Sequence, residues 1–267
     1  MKKLLFITFL LLSSILCISQ KIDDNYVKGL YSKYPTIKSN FCSSCKEWDN
    51  PYFKSIADTQ KHMPLITYYV YTSEHEKLQE SLNIPRTGIY AKWHPVYKQP
   101  KLDDVYTNAN NLINKHKTVY EVVWGHCIAW ITLAYDENAV IFSDTEDFNE
   151  GMEYQGQNIG TEIATENLCR SLVGWKKTAT TDSLKIWCGT YGNQGTFSNE
   201  DKTLTVVIPE YYWKHIEYYD RKSKQVIKKS WFMPNKVEET TDKLNLREID
   251  FNELVKNIGF DPTKILN

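Results

Sequence analysis

Five residue types at regular spacing carry the chemistry of this chain. Gly125-His126 closes an apolar run, and Asn158, Glu162, Glu166 and Arg170 follow at intervals of four. A glycine beside a histidine permits a sharp backbone turn and leaves the imidazole at a strand end. Four-residue intervals put the other side chains on one side of a helix. The set is one base, one amide ligand, two carboxylates and one guanidinium, which suits metal-assisted attack on a phosphodiester. Plainer readings stand beside it. A histidine after an apolar strand is often a hydrogen-bonded boundary residue, Asn158 suits a helix N-cap, and Glu162, Glu166 and Arg170 suit a solvated face with i,i+4 pairing.

The elements that must position these groups are legible on either side. Residues 119–124 read as the strand that delivers His126, and residues 158–172 as the helix, with Ala164, Leu168 and Leu172 packing on the sheet. Residues 65–71, Leu-Ile-Thr-Tyr-Tyr-Val-Tyr, are β-branched and aromatic and predict a strand. Further strands are expected over 184–188, 203–208, 210–216 and 226–233, the last two flanking a basic turn at Arg221, Lys222 and Lys224. Residues 75–82 read as a short polar segment, Pro85, Pro95 and Pro100 punctuate a surface connection, and residues 103–116 look helical. Asp250 and Glu253 form a capping box that opens a helix ended by Gly259. The pattern is α+β, with a mixed, mainly antiparallel β-sheet core and packed helices.

The 267 residues are 42% hydrophobic and 24% charged, which is ordinary for a globular fold. Lys2 and Lys3 precede a mostly apolar run over residues 4–16, and Ser19 offers a small residue for cleavage. Residues 1–19 therefore read as a secretory signal peptide, since the run is shorter than the roughly 20 residues of a spanning helix. Residues 20–45 read as an N-terminal extension docked through Tyr26, Tyr31 and Tyr34, and residues 46–267 as one domain. The expected mature protein is secreted, extracellular or periplasmic, with no stable membrane association. Losing the two lysines takes the formal charge from −1 to −3, which argues against salt-driven wrapping of a polyanion but leaves room for a local site. Cys42 and Cys45 suit a local disulfide better than a redox pair, since no βαβ pattern surrounds them. Cys127, Cys169 and Cys188 remain, an odd number.

Gly125-His126, Asn149, Asn158-Ile159-Gly160, Glu166 and Arg170 together resemble the DNA/RNA non-specific endonuclease family, secreted nucleases with a ββα-metal (His-Me finger) core. Its signature is Asp-Arg-Gly-His, then an Asn-containing segment and Asn-x-Gly-x-x-x-x-x-Glu-x-x-x-Arg. The strand at residues 65–71, Ile186-Trp187-Cys188-Gly189-Thr190-Tyr191-Gly192, Ile208-Pro209-Glu210-Tyr211-Tyr212-Trp213-Lys214, Phe232-Met233-Pro234-Asn235 and Phe251-Asn252-Glu253-Leu254 follow in the family's order. The resemblance spans roughly residues 45–260.

The resemblance implies a metal-dependent endonuclease that hydrolyses DNA or RNA without strong sequence preference. His126 would be the general base and Asn158 the direct ligand of Mg²⁺, or of Mn²⁺ in its place. Glu166 would hold a metal-bound water, and Arg170 would face the scissile phosphate. Val123-Trp124 stand where the family has Asp-Arg. Trp124, Asn149, Arg86 and Lys92 are therefore the candidate substrate contacts, with Trp124 placed to stack on a base or to serve the core, and with Lys176 and Lys177 as further cations. A second reading is a weakened or inactive member of the same fold that binds nucleic acid or a partner without cutting.

Overall fold

Alternation along the aromatic and β-branched runs fixes the architecture. The computed structural model describes residues 24–82, 84, 122–143, 147–198 and 205–267. Eight strands form one sheet in the order β1 (Ile37–Lys38), β2 (Cys45–Asp49), β3 (Lys54–Asp58), β4 (Met63–Thr72), β7 (Ser183–Tyr191), β10 (Tyr211–Asp220), β11 (Gln225–Pro234) and β12 (Glu248–Ile249). Every pairing in it is antiparallel. The fold is α+β, as the sequence pattern predicts. A separate hairpin pairs β5 (Val122–His126) with β6 (Glu150–Tyr154), and another pairs β8 (Gly195–Ser198) with β9 (Thr205–Ile208).

Because side chains alternate across a strand, the central strands feed two cores. Tyr69, Tyr71, Ile186, Cys188, Tyr212 and Ile216 point to one face, and Ile66, Tyr68, Trp187 and Trp213 to the other. The first face carries most of the helices: α1 (Asp24–Ser32), α2 (Ser73–Leu82), α3 (Trp130–Leu133), α4 (Glu137–Ser143) and α5 (Ile163–Val173). The second is covered by α6 (Phe251–Ile258), which buries Leu254 and Ile258. Asp250 caps α6 by accepting from Asn252 N–H at 2.7 Å, and Gly259 ends it at φ 84°.

Within residues 24–45, Val27 and Tyr31 of α1 enter the first core. Tyr26 donates to Asn138 Oδ1 at 2.6 Å and Tyr31 to the Ile141 carbonyl at 3.0 Å, while Tyr34 packs edge-on against Phe142. Cys42 and Cys45 form a disulfide, and Cys127, Cys169 and Cys188 are buried thiols. Residues 75–82, expected to be a polar segment, belong to α2. Thr72 Oγ1 accepts from His75 N–H at 3.1 Å, Glu74 and Glu76 favour the positive end of the helix dipole, and the helix shows its polar sides to solvent. The connection punctuated by three prolines and the helix expected over 103–116 lie outside the described residues. Among the described residues, no helix is long and apolar enough to cross a membrane.

Candidate active site

The β5–β6 hairpin and the helix after it form a ββα unit laid on the first face of the sheet. Register sets the site: Gly125 faces Gly151, and His126 faces Glu150. His126 is buried, 7% exposed, and its Nε2 lies 3.0 Å from Glu150 Oε1. A carboxylate accepting at Nε2 selects the tautomer whose lone pair is on Nδ1. Gly125 does not turn the chain as expected, because it stays within the strand. Its role is close approach: a Cβ at this position would stand 1.5 Å from Glu153 Oε2. Glu153 is fully buried, and among the described residues its Oε1 has no hydrogen-bond partner. Burial and the charge of Glu162 push its carboxyl well above the usual carboxylate range, against the pull of the Asn158 N–H and His126.

The helix does not begin at Asn158. A single turn, Gln155–Gln157, precedes it, and Asn158–Glu162 form a π-helical turn before α5. Gly160 departs from helical dihedrals at φ −96°, ψ −108°, and a Cβ there would meet the Glu239 carbonyl at 2.7 Å. Asn158 therefore makes no N-cap bond and is left for another task. Its Nδ2 donates to Glu153 Oε2 at 3.1 Å. π turns of this kind are frequent at functional sites.

Asn158, Glu162 and Glu166 meet His126 across one cleft of about 130 Å³, whose other walls are Ala129, Trp130, Ile131 and Ile163. Glu162 is not a solvated-face residue, because it is buried and ion-paired with Lys214 of β10. Thr165 Oγ1 also meets Lys214 Nζ, at 3.0 Å. Burial works against the ammonium, yet Glu162 and Tyr69 more than offset it, so the Lys214 pKa lies well above the usual lysine range. The buried residues of α5 are Thr165, Cys169, Arg170, Leu172 and Val173, with Leu168 and Ala164 only partly buried. Of the residues expected to pack on the sheet, Leu172 and Leu168 join the first core and Ala164 does not.

Arg170 stands apart from the cleft. Its Nε and Nη2 hold Glu76 of α2 at 3.1 and 2.7 Å, Nη2 also donates to Gln79 Oε1 at 3.1 Å, and Trp175 stacks 4.3 Å from the guanidinium. The fork expected on a phosphate is occupied by a carboxylate. Asn149, expected at the substrate, is fully buried, and its amide is spent on the backbone. It accepts from Ile128 N–H at 2.8 Å and donates to the Ile128 and Ser143 carbonyls at 3.0 and 2.6 Å. It therefore shapes the loop after His126. Asn235 ties the hairpin to the sheet by donating to the Met152 carbonyl at 3.1 Å and accepting from Tyr154 N–H at 2.8 Å. Lys176 lies 4.0 Å over the Trp175 ring, and Lys177 lines a different depression. Arg86, Lys92 and the side chain of Trp124 lie outside the described residues.

Sequence reasoning missed Glu150, Glu153, Trp130 and Lys214. Glu150 and Glu153 reveal themselves only through the register with β5. Lys214 sits in a strand whose alternation places it inward, an unusual position for lysine and the one signal that marked it.

The donors facing the cleft are an amide and carboxylates, the oxygen set that hard divalent cations take. Among the described residues, no group of three or more His, Cys, Asp or Glu is placed to hold a metal ion. The set thus fits a cation that keeps most of its waters, as Mg²⁺ does, better than a closed protein cage. Among the described residues lining the cleft there is no lysine or arginine.

No family model matches the chain, and no curated protein does. Its fold is similar to a solved chain described as the crystal structure of the EndoG/EndoGI complex, on the mechanism of EndoG inhibition. The TM-score is 0.51 at 14% identity, covering 81% of this chain and 86% of that one. The likeness shows that the two chains share an α+β fold.

Proposed function

We propose that the protein is an exported, divalent-metal-dependent nuclease that hydrolyses phosphodiester bonds of DNA or RNA. One observation carries the reading: His126 and Asn158, from separate elements, face the same cleft beside Glu166. His126 takes the proton of the attacking water as oxygen bonds to phosphorus, and the 3′-oxygen departs with the bond's electron pair. Glu150 holds the imidazole by Nε2, which fixes the tautomer needed for that step. Asn158 would be the protein's own ligand to the cation, and Glu166 would hold a water of that cation. When bound, Mg²⁺ or Mn²⁺ would supply positive charge to offset the negative charge that develops as the phosphodiester is attacked. Glu162, neutralised by Lys214, shapes the wall without adding a full negative charge. Export is the compartment that suits the leader-like residues 1–19 and the Cys42–Cys45 disulfide.

Plasmid degradation with Mg²⁺, Mn²⁺ or EDTA tests this. Cleavage in either metal that is lost in His126→Ala supports it, whereas equal cleavage by His126→Ala rejects it. The second reading, a binding protein of the same fold, draws on Val123-Trp124 standing where the family has Asp-Arg. Retention of DNA or RNA in EDTA without cleavage in either metal would favour it.

A further inference from the structure

We propose that Glu153 is the positioning residue that aims Asn158 at the cation. The inference rests on the reading of Asn158 as the metal ligand and adds the device that makes a neutral amide a usable one.

An asparagine offers an oxygen on one side and an N–H₂ on the other, and only the oxygen binds a cation. A free amide samples both orientations and loses affinity to the wrong one. Here Glu153 Oε2 accepts from Asn158 Nδ2 at 3.1 Å. That bond turns the nitrogen toward the hairpin and leaves Oδ1 for the cleft that Asn158 lines.

The hairpin is built to admit this carboxyl group. Glu153 enters the space over Gly125 that any Cβ would fill, at 1.5 Å from Oε2. It is fully buried, so the group is locked by packing. Its Oε1 is a buried oxygen with no partner among the described residues, a condition ordinary folding avoids. Glycine, glutamate and asparagine thus act in series: the glycine makes room, the carboxyl group turns the amide, and the amide oxygen meets the ion. Groups of this kind behind a metal ligand typically govern about 10- to 100-fold in affinity.

The test measures Mn²⁺ affinity by electron paramagnetic resonance on the full chain, with Tm recorded for each protein. Glu153→Leu keeps similar bulk and removes the acceptor, whereas Glu153→Gln keeps an acceptor oxygen. Asn158→Ala reports on the underlying reading. The expected result is affinity at least about tenfold weaker in Glu153→Leu at native Tm or above, and within about threefold of native in Glu153→Gln. Native affinity in Glu153→Leu, with weak binding in Asn158→Ala, overturns the proposal and leaves the ligand reading standing. Equal losses in the leucine and glutamine variants overturn it in favour of a charge effect, and a joint fall of Tm and affinity overturns it in favour of packing. Native affinity in Asn158→Ala, or no Mn²⁺ binding by the native chain, overturns the ligand reading and the proposal with it.

Discussion

The two ends of one helical stripe do different work. At its start, Asn158 and Glu166 look into a cleft shared with His126. At its end, Arg170 is buried in a bidentate pair with Glu76. Glu162, between Asn158 and Glu166, lines the same cleft but is ion-paired with Lys214. Four residues at identical spacing meet different partners, because α2 covers one end and β10 backs the middle. Spacing on a helix decides which side chains share a side, and the neighbours brought by the rest of the chain decide what that side does.

Variants at the two ends should therefore fail in different ways. The largest effect is expected at His126: alanine should lower the cleavage rate by about 10²- to 10⁴-fold, measured as initial nicking of supercoiled DNA in Mg²⁺. Glu150→Gln should cost less, since it loosens the imidazole without removing it. At the far end, Arg170→Met leaves Glu76 buried without its partner and should cost about 3–5 kcal/mol in urea unfolding. If Arg170→Met instead keeps native stability and loses only activity, the contrast between the two ends collapses. Lys214→Met should behave like Arg170→Met, because it strands Glu162 in the same manner.

A smaller, pH-dependent effect is expected at Glu153. Its folded pKa lies above its unfolded value near 4.3, so the folded state holds an extra proton over that interval. Stability is full below the unfolded pKa and falls as pH rises through the folded one. Glu153→Gln removes that decline, so its Tm advantage over the native protein should widen from pH 5 to pH 8. A constant difference would show that the carboxyl group is not perturbed. The smallest effect belongs to Asp250→Ala, far from both ends, which removes a helix cap worth about 1 kcal/mol. It should leave cleavage unchanged.

The resemblance placed His126, Asn158 and Glu166 where they meet, yet misjudged their surroundings in a consistent way. Asn149 was expected at the substrate because its distance from Asn158 fits the family, but its amide ties backbone to backbone. Gly125 was expected to turn the chain, and instead it makes room for Glu153. In both cases residue identity was informative and the partner was not, since the partner lies across a strand pair or a loop that no local pattern encodes.

By itself the sequence determined the strands β4, β5, β7, β9, β10 and β11, the cap at Asp250, the preference for a local Cys42–Cys45 staple and the presence of a base, an amide and carboxylates at helical spacing. These follow from local rules of alternation, periodicity and short-range closure. Only the tertiary structure decided that Glu150 holds His126, that Glu153 holds Asn158, and that Arg170 belongs to α2 rather than to the cleft. Each of those outcomes depends on strand register or on the element that lies against the helix. A one-residue change in register sends a side chain to the opposite face, and the energy that fixes it comes from packing over the whole sheet.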